Sequence, residues 1–199
     1  MTTKTTLQLV AALFIAAAPI VQAGPWSVRL GATWLETTDG STNSAVPVKV
    51  EDKLIPELDV TYTFNERWSA ELVLSIPQEH SVSSAGTPLG TFKHLPPTLL
   101  GKYHFPPLGG FRPYVGAGVN VTLIFDDDLR AGATRLKLDT FSVGPAAQAG
   151  FDWALGDRWS LNADVKRVML RTDVKAGGVK LTEARLDPWL YSVGLRRSF

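Results

Sequence analysis

Apolar and polar residues alternate with a period of two along most of this chain. Between residues 58 and 64, Leu58, Val60, Tyr62 and Phe64 are separated by single polar residues, and the alternation restarts at Trp68. Such alternation indicates β-strands with one apolar face. No helical periodicity appears after residue 23, so the pattern predicts an all-β fold.

The alternating segments number eight, and several are longer than the strands of ordinary soluble domains. Every second connection is tight, whereas the others are long and rich in Gly, Ser, Thr and Asp. This predicts an eight-stranded antiparallel transmembrane β-barrel with short periplasmic turns and longer extracellular loops. The predicted strands are residues 25–36, 54–64, 67–78, 96–105, 111–125, 137–154, 158–170 and 186–199.

Aromatic residues provide independent support, because they gather beside the short turns and the ends of the predicted barrel. They fall at one level of the wall, as the aromatic girdle of a membrane barrel does at a lipid interface. These residues are Trp26, Phe64, Trp68, Phe105, Phe111, Trp153, Trp159 and Phe199.

The apolar face is predicted to meet lipid, because the opposite face carries charges of both signs at membrane depth. A barrel of about eight strands has an interior filled by side chains, and buried charges are tolerated there when they pair. The alternative is a soluble, lipocalin-like barrel with its apolar face inward, which explains neither the girdle nor the final aromatic residue. The charged lumen residues are predicted to be Arg29, Glu57, Asp59, Glu71, Lys102, Arg112, Asp152, Asp164 and Lys166.

The first 23 residues differ from the rest of the chain. Lys4 precedes an apolar stretch from Leu7 to Val21, and Val21-Gln22-Ala23 is a small-x-small cleavage signal. This order predicts a secretory signal peptide over residues 1–23, which is removed to leave the barrel domain at 24–199. The stretch is too short for the alternative of a transmembrane anchor.

The composition of the chain limits the classes of binding partner that can be expected. Without Lys4, 19 basic and 19 acidic residues remain, so net charge does not indicate nucleic-acid binding. No motif indicates a cofactor or a metal. The run Asp126-Asp127-Asp128 offers carboxylates for a divalent cation on lipopolysaccharide phosphates, but a solvated loop is the simpler interpretation.

Enzymatic activity is not expected. Some eight-stranded outer-membrane barrels acylate or deacylate lipid A, and that chemistry requires a serine beside a histidine with an orienting group. His80 adjoins Ser81, but neighbours on a strand point to opposite faces, and His104 has no evident serine partner in the sequence.

Four stretches carry a family resemblance: "KHLPPTLL" at 93–100, "FRPYVGAGVN" at 111–120, "RLDPW" at 185–189 and the terminal Phe199. With them the chain resembles the OmpW family of eight-stranded outer-membrane barrels, which includes AlkL-type hydrocarbon uptake proteins. The resemblance implies passage of small hydrophobic molecules into an apolar channel closed toward the periplasm, with release sideways through the wall. It also implies contact with outer-membrane lipids and lipopolysaccharide, and recognition of Phe199 by the barrel-insertion machinery.

The resemblance further implies an apolar constriction on the third and seventh strands. Val73 matches the first of these positions and stays aliphatic, but Lys166 stands where a bulky aromatic residue is expected. Lys166 would either pair with Glu71 or Asp164 and seal the lumen, or make the lower channel more polar. A structural or adhesive barrel without a transport role is therefore the alternative function.

Prolines supply a candidate exit. At a rise of about 3.3 Å per residue and a tilt of about 40°, about nine residues above the short turns climb roughly 23 Å, near the top of the apolar band. Prolines lack the backbone donor of a ladder, so a cluster there predicts a weak lateral seam; simple strand termination is the alternative. The prolines are Pro56, Pro77, Pro96 and Pro97.

Overall fold

A computed structural model describes residues 24–37, 40–41 and 48–199 of the chain. The predicted signal peptide at 1–23 lies outside the described residues. Within the described ranges no helix is long and apolar enough to cross a membrane. The described residues form fifteen strands that join in one sheet. In chain order they are β1 (Trp26–Glu36), β2 (Gly40–Ser41), β3 (Val48–Val50), β4 (Lys53–Thr63), β5 (Trp68–Ser75), β6 (Gln78–Ser84), β7 (Thr87–Leu95), β8 (Thr98–His104), β9 (Phe111–Ala131), β10 (Thr134–Leu138), β11 (Phe141–Ala154), β12 (Trp159–Val168), β13 (Arg171–Ala176), β14 (Val179–Arg185) and β15 (Trp189–Ser198).

Eight of these strands close into an antiparallel barrel. Neighbours follow the order β1, β4, β5, β8, β9, β11, β12 and β15, and β15 pairs again with β1. The closing ladder runs from Ser27↔Ser198 to Glu36↔Trp189 without a break. Gly31 faces Gly194 in it, and a Cβ on Gly31 would lie 2.5 Å from the Val193 carbonyl oxygen, so glycine allows the close approach. The predicted eight-stranded barrel is confirmed.

The barrel exposes its apolar face and buries its charged one. Adjacent residues on β5 show the contrast, because Glu71 is fully buried while Leu72 is 38% exposed. Leu58 and Val165 are likewise partly exposed, next to buried Glu57 and Asp164. This orientation suits lipid outside and paired ions inside, so the lipocalin-like alternative is wrong.

The girdle is also in place at the periplasmic end. Trp26 packs edge-to-face on Tyr62 with ring centroids 4.8 Å apart, and Trp68 packs on Tyr103 at 5.1 Å. Arg197, on the lipid-facing side of β15, lies over the ring of Trp159 at 5.5 Å. Cation–π contact of this kind helps to hold an arginine at a membrane interface.

The long connections differ from the loops expected of them, because they contain paired strands. Hairpins β6–β7, β9–β10 and β13–β14 extend the wall above the barrel strands. Their turns use left-handed backbone at Gly86, Gly132 and Gly177, and apolar residues alternate inward along them. Most of their outward side chains are polar, as in Glu79 and Lys93, with exposed Val179 and Leu181 on β14 as exceptions, which suits hairpins that rise above the apolar band.

Two strand boundaries follow from this extension. The predicted strand at 67–78 ends at Ser75 and resumes as β6, and the predicted strand at 111–125 continues to Ala131. Pro77 explains the first break because its ring nitrogen cannot donate to a neighbouring strand.

Candidate functional site

The lower lumen is filled by a cluster of buried ions that we call the ionic plug. Four cationic and four anionic side chains form it, so its formal charge is balanced. At one end Arg29 donates to Glu57 and Asp59, and its Nη1 lies 3.5 Å from an Asp164 oxygen. The members of the plug are Arg29, Glu57, Asp59, Glu71, Lys102, Asp164, Lys166 and Arg196.

Glu71 is the acceptor at the centre of the other half of the plug. Lys102 Nζ lies 2.8 Å from its Oε2, and Arg196 Nη2 lies 3.0 Å from the same oxygen. Thr61 and Gln148 donate to it as well, at 3.0 and 3.1 Å. Four donors therefore satisfy the buried Glu71 carboxylate within the protein.

Lys166, on β12, bonds to side chains of β4, β12 and β15 rather than to Glu71. Its Nζ lies 2.6 Å from Asp164 Oδ1, 2.8 Å from Glu57 Oε1 and 3.1 Å from Ser192 Oγ. The lysine therefore forms buried ion pairs at the position where an aromatic constriction was expected.

The remaining predicted lumen residues lie at the edges of the plug. Val73 is buried and packs with Leu100, Ala146 and Val168. Arg112 is half-buried at the periplasmic end, where it donates to the backbone oxygen of Glu66 instead of joining the plug.

Sequence reasoning missed Arg196 as a lumen residue, although the alternation of β15 carries the signal. Arg197 faces outward, so Arg196 faces inward and is buried between Glu71 and Asp152. Buried Tyr114 was missed too; its hydroxyl accepts from Asn162 at 2.9 Å, and Lys102 Nζ lies 3.7 Å from its ring centroid. Aromatic and amide residues on an inward face carry no charge pattern that would mark them.

Three plug carboxylates, from Glu57, Asp59 and Asp164, lie within 4.8 Å of one another in the arrangement of a possible metal site. Arg29 contacts all three, and Lys166 contacts two of them. These cations supply the positive charge that a metal ion would bring.

Above the plug the lumen becomes apolar. The walls of this part, which we call the apolar chamber, come from the hairpins and enclose a cavity of about 200 Å³. Serine and threonine are its only polar lining residues in the described part of the chain. The buried apolar cluster around the chamber and its floor comprises Val50, Val82, Phe92, Ile124, Leu129, Leu136, Leu170, Val174, Ala184 and Leu186.

Two histidines lie at the floor of the chamber, on the hairpin β6–β7. The rings of His80 and His94 stack with centroids 4.9 Å apart, beside Phe92. Burial lowers the pKa of His94 to about 3 and lowers the pKa of His80, so both rings are neutral at pH 7. Ser81 points out of the wall, opposite His80, as the alternation predicts.

The wall between β4, β5 and β8 is interrupted at one level, which we call the wall gap. Ile76 and Pro77 lie in no ladder within the described structure, and residues 53–56 of β4 pair with β1 alone. The Ser75 hydroxyl is buried there without a hydrogen-bond partner among the described residues. The pairs that border the gap are Glu57 with Ser75, Val73 with Thr98, and Gln78 with His94.

The four prolines surround this gap. Pro56 is exposed inside β4 and pairs with Ala32, so it does not end its strand. Pro77 separates β5 from β6, and Pro96 and Pro97 separate β7 from β8. The carbonyls of Pro96 and Pro97 accept from Asn120 Nδ2 at 3.2 and 3.3 Å, so the β9 side of the wall stays bonded.

Two minor sequence features can now be located, the acidic run, which is largely exposed as expected, and His104, whose surroundings differ from the expectation. Each carboxylate of the acidic run has a basic neighbour, for example Lys93 Nζ at 3.1 Å from Asp126 Oδ2 and Lys137 Nζ at 2.8 Å from Asp127 Oδ1. His104 does have a serine partner, because its Nε2 lies 2.9 Å from Ser69 Oγ. Its Nδ1 has no hydrogen-bond partner in the described residues, so the orienting group of a triad is absent from that part of the chain.

Comparison with known proteins identifies the family. The model of the OmpW family matches residues 18–199. The chain belongs to the OmpW family. Outer membrane protein W of Vibrio cholerae serotype O1 is 36% identical to it, over 94% of this chain and 94% of that protein. The crystal structure of the outer membrane protein OprG from Pseudomonas aeruginosa is similar at a TM-score of 0.79 and 30% identity, over 89% of this chain and 97% of that one.

One further relative has an informative name. The dibenzothiophene metabolism operon protein PahQ of Pseudomonas aeruginosa is 29% identical over 98% of this chain and 99% of its own length. Membership of the OmpW family and the barrel itself place the chain in the cell outer membrane, among its lipids and lipopolysaccharide.

Proposed function

We propose that this barrel takes up small hydrophobic molecules from outside the cell and releases them sideways into the outer membrane. The observation that carries the proposal is the abrupt change inside the lumen, from a chamber lined by apolar side chains to a plug of paired ions. An apolar solute is stable in the chamber. It cannot continue through the plug, because it would have to displace buried charge pairs.

The wall gap is the proposed exit. Its prolines leave no donors to close the ladder, and His94, at the floor of the chamber, pairs with Gln78 directly above it. Non-helical, incompletely paired backbone at membrane depth is tolerated where it lines a cavity. A relative named for dibenzothiophene metabolism is consistent with an apolar solute.

Uptake into proteoliposomes tests the route. The full chain should admit decane while excluding a polar solute of similar size, and replacing Pro96 and Pro97 by valine should slow decane entry several-fold by letting the ladder close. Pro145→Val is the matched control, since Pro145 is an exposed strand proline on β11, away from the gap. Unchanged entry into liposomes with a normally folded Pro96/Pro97 variant would contradict the lateral exit.

A structural or adhesive role is the second candidate, and the plug is the observation in its favour. The eight buried ions of the plug disfavour passage straight through the lumen, because a solute would have to displace them. If neither decane nor the polar solute enters the proteoliposomes, this candidate replaces uptake. Equal entry of both would instead indicate a small open pore.

We also propose that Phe199 is recognised by the barrel-insertion machinery. Its backbone N–H donates to the Trp26 carbonyl at 3.0 Å, so the residue sits where the first and last strands meet. Phe199→Ala should lower the amount of folded barrel in the outer membrane but not the stability of the refolded protein. A loss of stability in vitro would assign Phe199 to packing instead.

A further inference from the structure

A second, smaller cavity lies at the floor of the apolar chamber. It measures about 20 Å³ and shares Val50, Phe92 and Leu186 with the chamber above. A space of this size holds one water-sized group. Its lining differs from that of the chamber because it includes two imidazoles, those of His80 and His94. We call it the imidazole floor.

Both imidazoles present unused nitrogens in this buried place. His80 is 1% exposed and His94 is 6% exposed. His80 Nδ1 lies 3.1 Å from the backbone oxygen of Glu51. A carbonyl can only accept, so Nδ1 carries the proton of the neutral ring and Nε2 is left as an acceptor. His80 Nε2 and His94 Nδ1 have no hydrogen-bond partner in the described part of the chain.

The surroundings restrict what can satisfy these atoms. No charged side chain lines the imidazole floor among the described residues. The Thr37 and Thr122 hydroxyls beside it already donate, to Val50 O at 2.8 Å and to Asn120 Oδ1 at 2.6 Å. A partner for His80 Nε2 must therefore bring a hydrogen-bond donor, and a neutral donor is favoured because an ammonium would lack a counter-charge.

We infer that the imidazole floor binds the hydroxyl end of an amphiphile, such as a medium-chain alcohol or a phenol, whose apolar body occupies the chamber. The inference rests on the proposed uptake function and specifies its solute class. The hydroxyl donates to His80 Nε2, and the apolar body contacts Phe92, Val50 and Leu186, which line both cavities. A bare alkane offers neither nitrogen a hydrogen bond, whereas the hydroxyl of an amphiphile does, and an unpaired buried polar atom costs free energy.

Nitrogen NMR of the imidazoles tests this directly. The chain has three histidines, and His104 lies at the periplasmic end of β8, bonded to Ser69, so it serves as an internal reference. The full chain, labelled with nitrogen-15 at histidine and held in lipid nanodiscs, is titrated with 1-decanol or decane. We expect 1-decanol to move the His80 Nε2 resonance while decane does not, with His104 unmoved by either.

Variants give a second readout. Competition with a fluorescent probe in the nanodiscs should show 1-decanol binding about tenfold tighter than decane, a ratio that one hydrogen bond can supply. His80→Phe should bring the ratio near one, and His80→Asn, which keeps an acceptor oxygen, should restore part of it. Phe92→Leu is the matched control, because it alters the same cavity without removing an imidazole.

The outcomes separate the two proposals. If decane enters proteoliposomes but 1-decanol neither moves the His80 resonance nor binds more tightly than decane, the imidazole floor is not a hydroxyl site, and uptake stands. If neither solute binds nor enters, both proposals fail. A ratio that falls equally in Phe92→Leu and His80→Phe would assign the preference to shape and overturn the inference.

Discussion

The lower and upper halves of the lumen differ in the chemistry of their inward-facing side chains. Below, Glu71 and its neighbours form ion pairs that satisfy one another. Above, side chains such as Leu129 and Val174 line a cavity that they do not fill. Paired ions at short distance leave no room for a guest, whereas apolar walls can exchange one apolar neighbour for another at little cost. We therefore expect a solute to bind in the chamber and not in the plug.

Removing a central plug acceptor should have the largest effect. Glu71→Leu leaves Lys102 buried without its carboxylate partner and Arg196 with Asp152 alone, so the free energy of unfolding should fall by about 3–5 kcal/mol. Urea unfolding in lipid vesicles, followed by tryptophan fluorescence, measures it. Glu79→Leu on the exposed rim is the control. A second change, Lys102→Met, should recover part of the loss, and equal costs for Glu71→Leu and Glu79→Leu would show that the plug is hydrated.

A charge introduced into the chamber should have the second-largest effect, on solute uptake. Leu129→Lys introduces an ammonium that has no partner in an apolar cavity, so decane uptake should fall by about tenfold or more. Proteoliposome uptake measures it, with Val179→Lys, an exposed position outside the chamber lining, as the control. Undiminished uptake in a folded Leu129→Lys barrel would mean that solutes bypass the chamber.

Lowering the pH should reduce the free energy of unfolding, because His94 is buried at the floor of the chamber. Burial lowers the pKa of His94 to about 3, and Lys53 and His80 nearby oppose its protonation further. The unfolded chain binds this proton near pH 6.5, so stability falls as the pH falls from about 6.5 toward 3. Between pH 7.5 and 5.5, His94 should contribute a loss on the order of 1 kcal/mol. Comparing unfolding of the native chain and His94→Phe at both pH values measures it; parallel curves would contradict the prediction.

An exposed ion pair should matter least. Lys93 bonds Asp126 on the outer surface of the hairpins, with the two side chains 39% and 64% exposed. Lys93→Ala should cost under about 1 kcal/mol, and the cost should vanish in about 1 M salt because exposed charges are screened. The same salt should leave the Glu71→Leu deficit intact. A salt-resistant cost at Lys93 would remove the distinction between rim and plug.

Alternation predicted which side chains turn inward, and the barrel follows from it. Arg29, Glu71 and Lys102 were placed in the lumen by period two alone. Their partners were not predictable, because Arg29 meets Asp164 only through a closed ring that brings β1 and β12 together. Lys166 pairs with Asp164 and Glu57 rather than with Glu71 because of the stagger between strands. This stagger cannot be read from a single sequence.

The family resemblance implied an apolar channel, but the residues that line the chamber escaped prediction for a different reason. Its walls lie in segments whose overall composition is polar, rich in Ser, Thr, Gly and Asp, and such composition reads as loop. The alternation is present in short form, as Val82 and Phe92 face inward between polar neighbours. Hairpin turns at Gly86 and Gly132 separate the pieces, so each run is too brief to stand out.

The ionic plug also bears on how the wall is assembled. Its members come from β1, β4, β5, β8, β12 and β15, so no hairpin carries a complete set. Slippage of one strand by a single residue would turn its charge toward lipid and leave the former mate stranded. A barrel with one strand in the wrong register would therefore leave several charges unpaired at once. The ion pairs of the plug thus favour the native strand register during assembly.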